Sequence, residues 1–309
     1  MCIRDREQWN ITVTFVNYNA NQAGNSGKSF SAKLMIQKDK TRYDMVCDES
    51  KLACHVAKLY TETQGEKSLY YHDSSLANGA GDNSYRYAGA SDSLNNYICL
   101  GSDEATCPDA NLFRIIGVFG DQTKVIRAKS VGNQKWDTNN SNTWASSSLN
   151  TYLNGTYLTS LGTLAEKIAT TTWKVGGGSW DNIGTSVPAT AYQYEVGSSS
   201  SSTTHDAKIG LMYVSDYGFA ASPDAWTLTM SSYNNTTATN NNWMYMGLYE
   251  WTISRDAVNS DHAFCVSYGG LVFNNFVSRN DGVRASFNLE SSVSYVSGSG
   301  SMSDPIVIN

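Results

Sequence analysis

Short apolar runs dominate the last third of the chain and predict β-strands. Four of them follow one another closely, at residues 249–255, 262–268, 270–276 and 282–289, with alternating or continuous apolar positions between Gly- and Asn-containing turns. Further runs of this kind lie at residues 11–17, 31–37, 97–100, 111–119, 123–129 and 208–214. The pattern predicts a chain in which strands outnumber helices.

Helical spacing of apolar residues appears in fewer segments. Residues 50–60, 142–153 and 160–169 carry apolar side chains three and four positions apart, and the second of these helices is expected to end at Asn154–Gly155. The segment SDYGFAA, residues 215–221, begins with a Ser-Asp capping pair and predicts a short helix.

Two long polar stretches complete the pattern. Residues 174–207 are rich in Gly and Ser, and residues 222–242 are rich in Asn and Thr. We interpret both as loops, and loops of this length are uncommon in compact domains unless they serve a function.

The composition excludes several classes of protein. Of the 309 residues, 16% are charged and 12% aromatic, and the net charge is −6. The chain is acidic overall and its Lys and Arg residues are sparse, which disfavours nucleic acid or an anionic lipid surface as a partner. No apolar run approaches the roughly 18 residues of a membrane span, so no membrane segment is expected, and the aromatic content disfavours disorder.

The start of the chain is unusual. Residues 1–6, MCIRDR, match one translation of the transposon end used to build sequencing libraries, and we interpret them as an adapter artefact on a truncated reading frame. The alternative is an ordinary short N-terminus. Under the first interpretation, a signal peptide or membrane anchor upstream would be missing from this sequence.

The cysteines favour an oxidising compartment. Cys99 and Cys107 bracket a loop containing Gly, Asp and Pro, and we predict that they form a disulfide between adjacent strands. Cys47 and Cys54 are placed for a second bond across a helix start. Cys265, in an alternating run, is expected to be a buried thiol. The chain is therefore predicted to be extracellular or displayed on the cell surface.

No group of residues predicts catalysis. The four His residues lie in separate segments, and we interpret His72–Asp73 as a turn pair rather than a base with its orienting carboxylate. The Gly-rich segment 176–180 lacks the second Gly of a nucleophile elbow. The nearest metal-like set, Cys47, Cys54 and His55, fits no zinc spacing. We expect no enzyme, no metal and no cofactor.

Several blocks of the chain resemble a family of uncharacterised surface proteins from gut bacteria. The resemblance covers roughly residues 66–309 and includes YYHDSSLANGAGDNSYRYAGASDSLNNYICLGSDEATCPDANLFRIIGVFG at 70–120. The remaining blocks, in chain order, are W-x4-L-x2-YLNG from Trp144, SDYGFA, WTISR, SYGGLV, GVRASFNL and SGSGS..DPIVI. One departure is Ala285, where the family pattern has Pro.

This resemblance implies a fold. The family looks like the C-type-lectin-like fold, in the branch that includes the formylglycine-generating enzymes and the retroelement-diversified receptors. The expected class is α+β, with two helices and a cluster of C-terminal antiparallel strands. Residues 66–309 would form this domain. Residues 41–65 would form a connecting helix, and residues 7–40, which weakly resemble the tail of a secreted β-sandwich, would be a remnant hairpin of that sandwich.

Binding is the function that remains. Tyr, Trp, Ser, Gly and Asn are the residues of recognition surfaces, which combine rigid rings with adaptable hydrogen bonds. In the lectin-like fold the ligand face is built near the late strands. The predicted ligand-binding residues are Trp243, Tyr245, Tyr268, Asn274, Asn275, Phe276 and Arg279, from a wider set that also includes Tyr249, Trp251, Arg255 and His262.

We therefore expect an adhesin-like binding module whose partner is a carbohydrate or glycoprotein. Two alternatives stay open. One is a structural subunit of a surface fibre or pilus-like assembly, favoured by the sandwich remnant. The other is a calcium-dependent sugar lectin, for which Trp180-Asp181-Asn182 and Ser222-Pro223-Asp224 are weak candidates because calcium needs six to eight oxygen ligands.

Overall fold

The computed structural model describes residues 47–102, 104, 106–233 and 239–309. The segments assigned to residues 1–6 and 7–40, including the predicted strands at 11–17 and 31–37, lie outside the described residues. The described residues all fall within one structural unit, Thr41–Asn309.

The helices of this unit are short. The α-helices are α1 (Leu52–Ala57), α2 (Ser148–Tyr152), α3 (Leu158–Ser160), α4 (Trp180–Ile183), α5 (Pro188–Glu195) and α6 (Val214–Ala220). A π-helical turn at Leu153–Tyr157 joins α2 to α3. Single 3₁₀ segments lie at Glu66–Ser68, Trp144–Ser146, Gly162–Lys167, Pro223–Ala225 and Met230–Ser232.

Strands are more numerous than helices, as the sequence predicts. They are β1 (Leu69–Tyr71), β2 (Tyr85–Tyr87), β3 (Tyr97–Cys99), β4 (Leu112–Phe119), β5 (Gln122–Arg127), β6 (Asn133–Lys135), β7 (Thr171–Lys174), β8 (Thr204–Ala207), β9 (Glu250–Arg255), β10 (His262–Val266), β11 (Val272–Phe276), β12 (Asn280–Gly282), β13 (Ser286–Leu289), β14 (Tyr295–Ser297) and β15 (Ile306–Ile308). The α+β class is confirmed.

The largest sheet has eight strands centred on β4. Six follow the order β1-β2-β4-β3-β15-β14, while β5 pairs with β4 and β13 pairs with β5. Strand β4 is buried along almost its whole length because the sheet is covered on both faces. Gly117 lies at a bulge in β4, where a Cβ atom would be 2.1 Å from the carbonyl oxygen of Tyr85.

A second sheet carries the late strands and positions the candidate site. Its order is β11-β10-β9-β12-β6, antiparallel except for the parallel pair β9–β12. The predicted run at 282–289 is divided between the two sheets: β12 belongs to this one and β13 to the large one. A two-stranded ribbon, β7–β8, forms a third sheet.

Helix α1 packs into the main core. Its residues Leu52 and Val56 are fully buried and share one hydrophobic cluster with Ile115 and Val125 of the large sheet. The disulfide Cys47–Cys54 ties the start of this helix, and Cys99–Cys107 closes the loop after β3; both span 5.8 Å between Cα atoms. Both predicted disulfides are therefore present in the structure.

The helix predicted to end at Asn154–Gly155 does not end there. The chain passes through these residues as the π turn and continues into α3. The helix predicted at residues 160–169 is the 3₁₀ segment Gly162–Lys167. Asn154 is used as a tether: its Nδ2 donates to the carbonyl of Ile209, and its Oδ1 accepts from the Ile209 amide, each at 2.9 Å. This long-range pairing replaces the expected C-cap.

The two long loops are also corrected. Residues 174–207 contain α4, α5 and β8, because the Ser179 hydroxyl caps α4 and Pro188 starts α5. The described part of 222–242 contributes Trp226, Met230 and Tyr233 to the interior, all fully buried. The predicted strand at 208–214 is limited to one bridge, Gly210 to Ser286.

In the described ranges, no helix has both the length and the apolar character needed to cross a membrane.

Candidate binding site

An open depression lies at one end of the second sheet, where β10 turns into β11. Its volume is about 340 Å³. Side chains and backbone from the start of β9, from the turn and from β11 line it: Tyr249, Ser267, Tyr268, Gly269, Leu271 and Phe273. We call it the aromatic depression.

Three aromatic rings form the apolar part of the aromatic depression. The Tyr249 ring meets Tyr268 edge-on at 5.4 Å between centroids and Phe273 edge-on at 5.8 Å. Such edge-to-face pairs stabilise the arrangement beyond the area they bury. Tyr268 is nevertheless 65% exposed, among the most exposed large apolar side chains of the described residues.

The turn that carries Tyr268 is held firmly. The Ser267 amide donates to the carbonyl of Leu271 at 2.8 Å, and Gly270 has φ +93°. Two tyrosine hydroxyls donate to the turn from outside: Tyr217 to the Gly270 carbonyl at 2.7 Å and Tyr245 to the Tyr268 carbonyl at 2.6 Å. These bonds fix the backbone beneath an exposed ring, which lowers the entropy lost on binding.

Strand alternation explains why these residues meet. The register places Cys265 of β10 beside Phe273 of β11 and beside Trp251 of β9. Tyr249, two positions before Trp251, therefore faces the same side of the sheet. Cys265 is buried beneath this face, and burial raises the pKa of its thiol well above the ordinary value.

A charged pair borders the rings. The Arg279 guanidinium lies over the Tyr249 ring at 5.4 Å from its centroid, within cation–π distance, and its Nε is 3.8 Å from Oδ1 of Asp281. The Arg279 side chain is 50% exposed, whereas that of Asp281 is 2% exposed. Burial raises the pKa of the Asp281 carboxyl, and Arg279 opposes the rise.

The predicted residues divide into two groups. Tyr268 lines the aromatic depression, Tyr245 supports its turn and Arg279 borders it. Trp243 does not belong to it: only 2% exposed, it donates its indole N–H to the Tyr87 carbonyl at 2.8 Å and packs under the Arg114 guanidinium. The structure therefore places Trp243, predicted as a ligand-binding residue, in the core and outside the aromatic depression.

Three consecutive predicted residues, Asn274, Asn275 and Phe276, lie on β11, and the pleat of the strand separates Asn275 from the other two. Asn275 is almost fully buried. Phe276, three positions after Phe273, faces the opposite side and packs on His262 at 4.3 Å. Asn274 donates to Oδ2 of Asp256 at 2.6 Å and is partly buried. Asn274 and Phe276, two positions apart, share one face of β11, whereas Asn275 faces the opposite side with Phe273, so the three predicted residues do not form one surface.

Phe273 is the aromatic lining residue that the sequence analysis missed, and Ser267, Gly269 and Leu271 were also absent from the predicted set. The sequence carries a signal for this residue, because side chains two positions apart in a strand share a face. Tyr249 is two positions from the buried Trp251, and the strand register places Phe273 on the same face. From the wider set of predicted residues, Trp251 and Arg255 bond to backbone carbonyls of the protein. The Trp251 indole donates to the Gln134 carbonyl, and Arg255 donates to the Gly176 carbonyl, both at 2.9 Å.

Several ion pairs away from the aromatic depression are buried in the core. Arg86 pairs with Asp82 at 2.6 Å, and Lys124 pairs with Asp216 at 2.5 Å; all four side chains are mostly buried. Arg284, in the second half of the chain, forms a similar buried pair with Glu250. These groups satisfy one another within the core.

The pair His72–Asp73, noted in the sequence analysis, has a structural role. His72 is fully buried, its Nδ1 accepts from the Ala80 amide at 3.1 Å, and its ring packs against Phe219 and Trp226. Burial lowers its pKa well below the ordinary value. Asp73 instead accepts from the amide and hydroxyl of Ser75 in a turn.

Over residues 47–102, 104, 106–233 and 239–309, no three His, Cys, Asp or Glu side chains are grouped so that they could hold a metal ion.

Comparison with known proteins gave one match. A family model described as "Domain of unknown function (DUF6273)" matches residues 120–291, more than half of the chain. The matched range runs from before β5 to beyond β13 and contains the whole aromatic depression. No curated protein and no solved structure matched.

Proposed function

The chain belongs to the DUF6273 family, and we propose that its described unit is a non-catalytic extracellular module that binds carbohydrate, free or on a glycoprotein, through the aromatic depression. The observation that carries this proposal is the exposed Tyr268 ring, set edge-on to Tyr249 above a turn that other side chains hold in place.

The chemistry of the aromatic depression suits a sugar. Ligand sites combine apolar and aromatic walls with a few polar groups that fix orientation. Here the rings offer flat apolar surface for the C–H face of a sugar ring. Backbone groups of the turn and the nearby Arg279 offer partners for hydroxyl groups. The depression is open, as an oligosaccharide or a glycan at the end of a chain requires.

Two further features support a secreted binding module. Disulfides form and persist in oxidising compartments, and the unit contains two. The buried ion pairs are satisfied within the core. The surface feature on which we base the proposal is the aromatic depression, whose rings suit ligand binding better than catalysis. Display at the cell surface as an adhesin is part of the proposal.

The fold assignment is proposed at the same level. We propose that the unit is a variant of the C-type-lectin-like fold, because the late strands β9–β12 cluster in one sheet beside the large one and the sequence blocks follow the order of that family. An experimental structure with a different order of strands in the second sheet would contradict it.

The direct test is a glycan array probed with the 309-residue protein and two single variants. Tyr268→Ala removes the exposed ring of the aromatic depression. Phe276→Ala removes an aromatic side chain of similar exposure, 51%, on the other face of the same sheet. Both changes truncate a surface ring, so they make a matched pair.

We expect binding by the wild type, about a tenfold loss with Tyr268→Ala, in line with the truncation of a binding hot spot, and no loss with Phe276→Ala. Equal binding by the wild type and Tyr268→Ala would contradict the proposed site. Loss of wild-type binding with a chelator would favour the calcium-dependent lectin. Cleavage of the bound glycan would contradict a non-catalytic role.

A further inference from the structure

Arg279 differs from the other arginines in the described residues, each of which donates a side-chain hydrogen bond. Arg86 and Arg284 are buried and paired with carboxylates, and Arg255 donates to a backbone carbonyl. In the described part of the chain, the Arg279 side chain donates no hydrogen bond, and its Nε is only loosely paired with Asp281 at 3.8 Å. Half of the side chain is exposed.

The position of this guanidinium is nevertheless defined. Its central carbon lies over the Tyr249 ring, and Oδ1 of Asp281, itself almost fully buried, is 3.8 Å from Nε. The Oδ2 atom of Asp281 has no hydrogen-bond partner in the described structure, so the carboxylate remains available to attract the arginine. The two Nη atoms are left to donate to a ligand at the edge of the aromatic depression.

We infer that the ligand is an acidic saccharide, with its anionic group bound by Arg279 while the sugar ring stacks on the aromatic depression. This inference rests on the proposed carbohydrate-binding function and narrows it. A guanidinium presents parallel N–H donors that match the two oxygens of a carboxylate or the oxygens of a sulfate. A neutral sugar hydroxyl uses only one of those donors.

The charge of the chain limits the ligand to one acidic group at this site. With a net charge of −6, the protein repels a polyanion at long range, and the Arg279 guanidinium beside Tyr249 suits a single acidic group. A saccharide with a single acidic group experiences little of that repulsion at physiological salt, where fields are screened beyond about 8 Å. Arg279 therefore selects a sialylated, uronic-acid-containing or monosulfated glycan and not a heparin-type chain.

The experiment compares matched glycans. Neutral oligosaccharides are printed beside their sialylated, uronic-acid-containing and monosulfated forms, together with a heparin-type oligosaccharide. The 309-residue protein is tested as wild type, Arg279→Gln, Arg279→Lys and Tyr268→Ala, each first checked for an unchanged thermal unfolding midpoint.

For the wild type we expect at least about tenfold tighter binding of the acidic member of a pair, the scale of one charge-assisted contact. Arg279→Gln should bind both members equally, and Arg279→Lys should retain part of the preference because it keeps the charge and loses the paired donors. Tyr268→Ala should weaken both members. A difference between the carboxylate and sulfate arms identifies which anion is preferred.

The outcomes separate the inference from the proposed function. Equal wild-type binding of neutral and acidic members, or a preference that survives Arg279→Gln, overturns the role of Arg279 while leaving carbohydrate binding intact. Tightest binding of the heparin-type chain also overturns it. Absence of binding to every glycan overturns both.

Discussion

Replacing Asp216 by Asn should destabilise the protein strongly, because this carboxylate neutralises a buried cation. Its Oδ2 lies 2.5 Å from Nζ of Lys124 and also accepts from the Tyr213 amide at 2.9 Å, at the start of α6. Its Oδ1 is 3.5 Å from Nη1 of Arg86. The side chains of Asp216, Lys124 and Arg86 are 3%, 7% and 2% exposed.

The expected loss follows from this burial. Removing one partner of a buried ion pair typically costs about 3–5 kcal/mol, because the remaining charge stays desolvated without compensation. Burial already lowers the pKa of Lys124, with Asp216 opposing the shift. In the variant the pKa of Lys124 in the folded state falls further. The unfolded chain then binds more protons than the folded protein, so the free energy of unfolding rises with pH. The deficit should be smaller at about pH 9 than at about pH 7.

The chain provides a matched control on its surface. Asp109 and Lys129 form a pair at the same 2.5 Å distance, but their side chains are 66% and 55% exposed. Asp109→Asn makes the same chemical change in high dielectric and should cost no more than about 1 kcal/mol. Urea unfolding followed by Trp fluorescence measures both variants. Equal losses, or a loss below about 1 kcal/mol for Asp216→Asn, would refute the reasoning that burial sets the value of this pair.

Three further predictions concern stability. The pKa of Asp82 is lowered from 3.8 to about 2, so its contribution to the free energy of unfolding is present above about pH 4 and is lost as the pH falls through about 2. In acid titrations of unfolding, the Asp82→Asn variant should therefore lose up to about 2 kcal/mol less stability than the wild type, and an unchanged profile would contradict this. Replacing Cys99 and Cys107 together by Ala should lower the free energy of unfolding by about 2–3 kcal/mol, since the bond closes a short loop, and no change would be inconsistent with a native bond. Gly117→Ala should cost about 1–3 kcal/mol in thermal or urea unfolding, because its Cβ would meet the Tyr85 carbonyl; neutrality would show that the strands separate easily.

Local chemistry made much of the fold predictable. The closely spaced apolar runs at 249–255, 262–268 and 270–276 match β9, β10 and β11, since alternation and turns are local signals. The short helix predicted at 215–221 corresponds to α6, whose Asp216 accepts from the Tyr213 amide at the helix start. Spacing alone also predicted the disulfide Cys99–Cys107.

What could not be predicted depends on contacts distant in sequence. Asn154–Gly155 resembles a helix end, but Asn154 bonds to Ile209, fifty-five positions away, and the helix continues. The 174–207 segment was interpreted as a loop from its Gly and Ser content. A Ser can equally cap a helix, and Ser179 does so for α4.

The candidate site was predicted only in part, because some of its features depend on local sequence and others on contacts distant in sequence. Exposure of Tyr268 follows from its place in a Gly-containing turn, which is local information. The burial of Trp243 follows from its bond to Tyr87, which no pattern along the chain indicates. The two-residue period of a strand, applied to β11, separates Phe276 from Phe273 and places Asn275 on the face opposite Asn274 and Phe276.

The most direct test of the account is to map where a glycan binds. Amide chemical shifts of the isotope-labelled protein would be recorded while the tightest-binding saccharide of the array is added. We predict that the largest changes fall on Tyr249, the turn at Tyr268 and Phe273, with little change at His262 and Phe276. Changes concentrated at His262 and Phe276, or no saccharide that produces any change, would contradict binding through the aromatic depression.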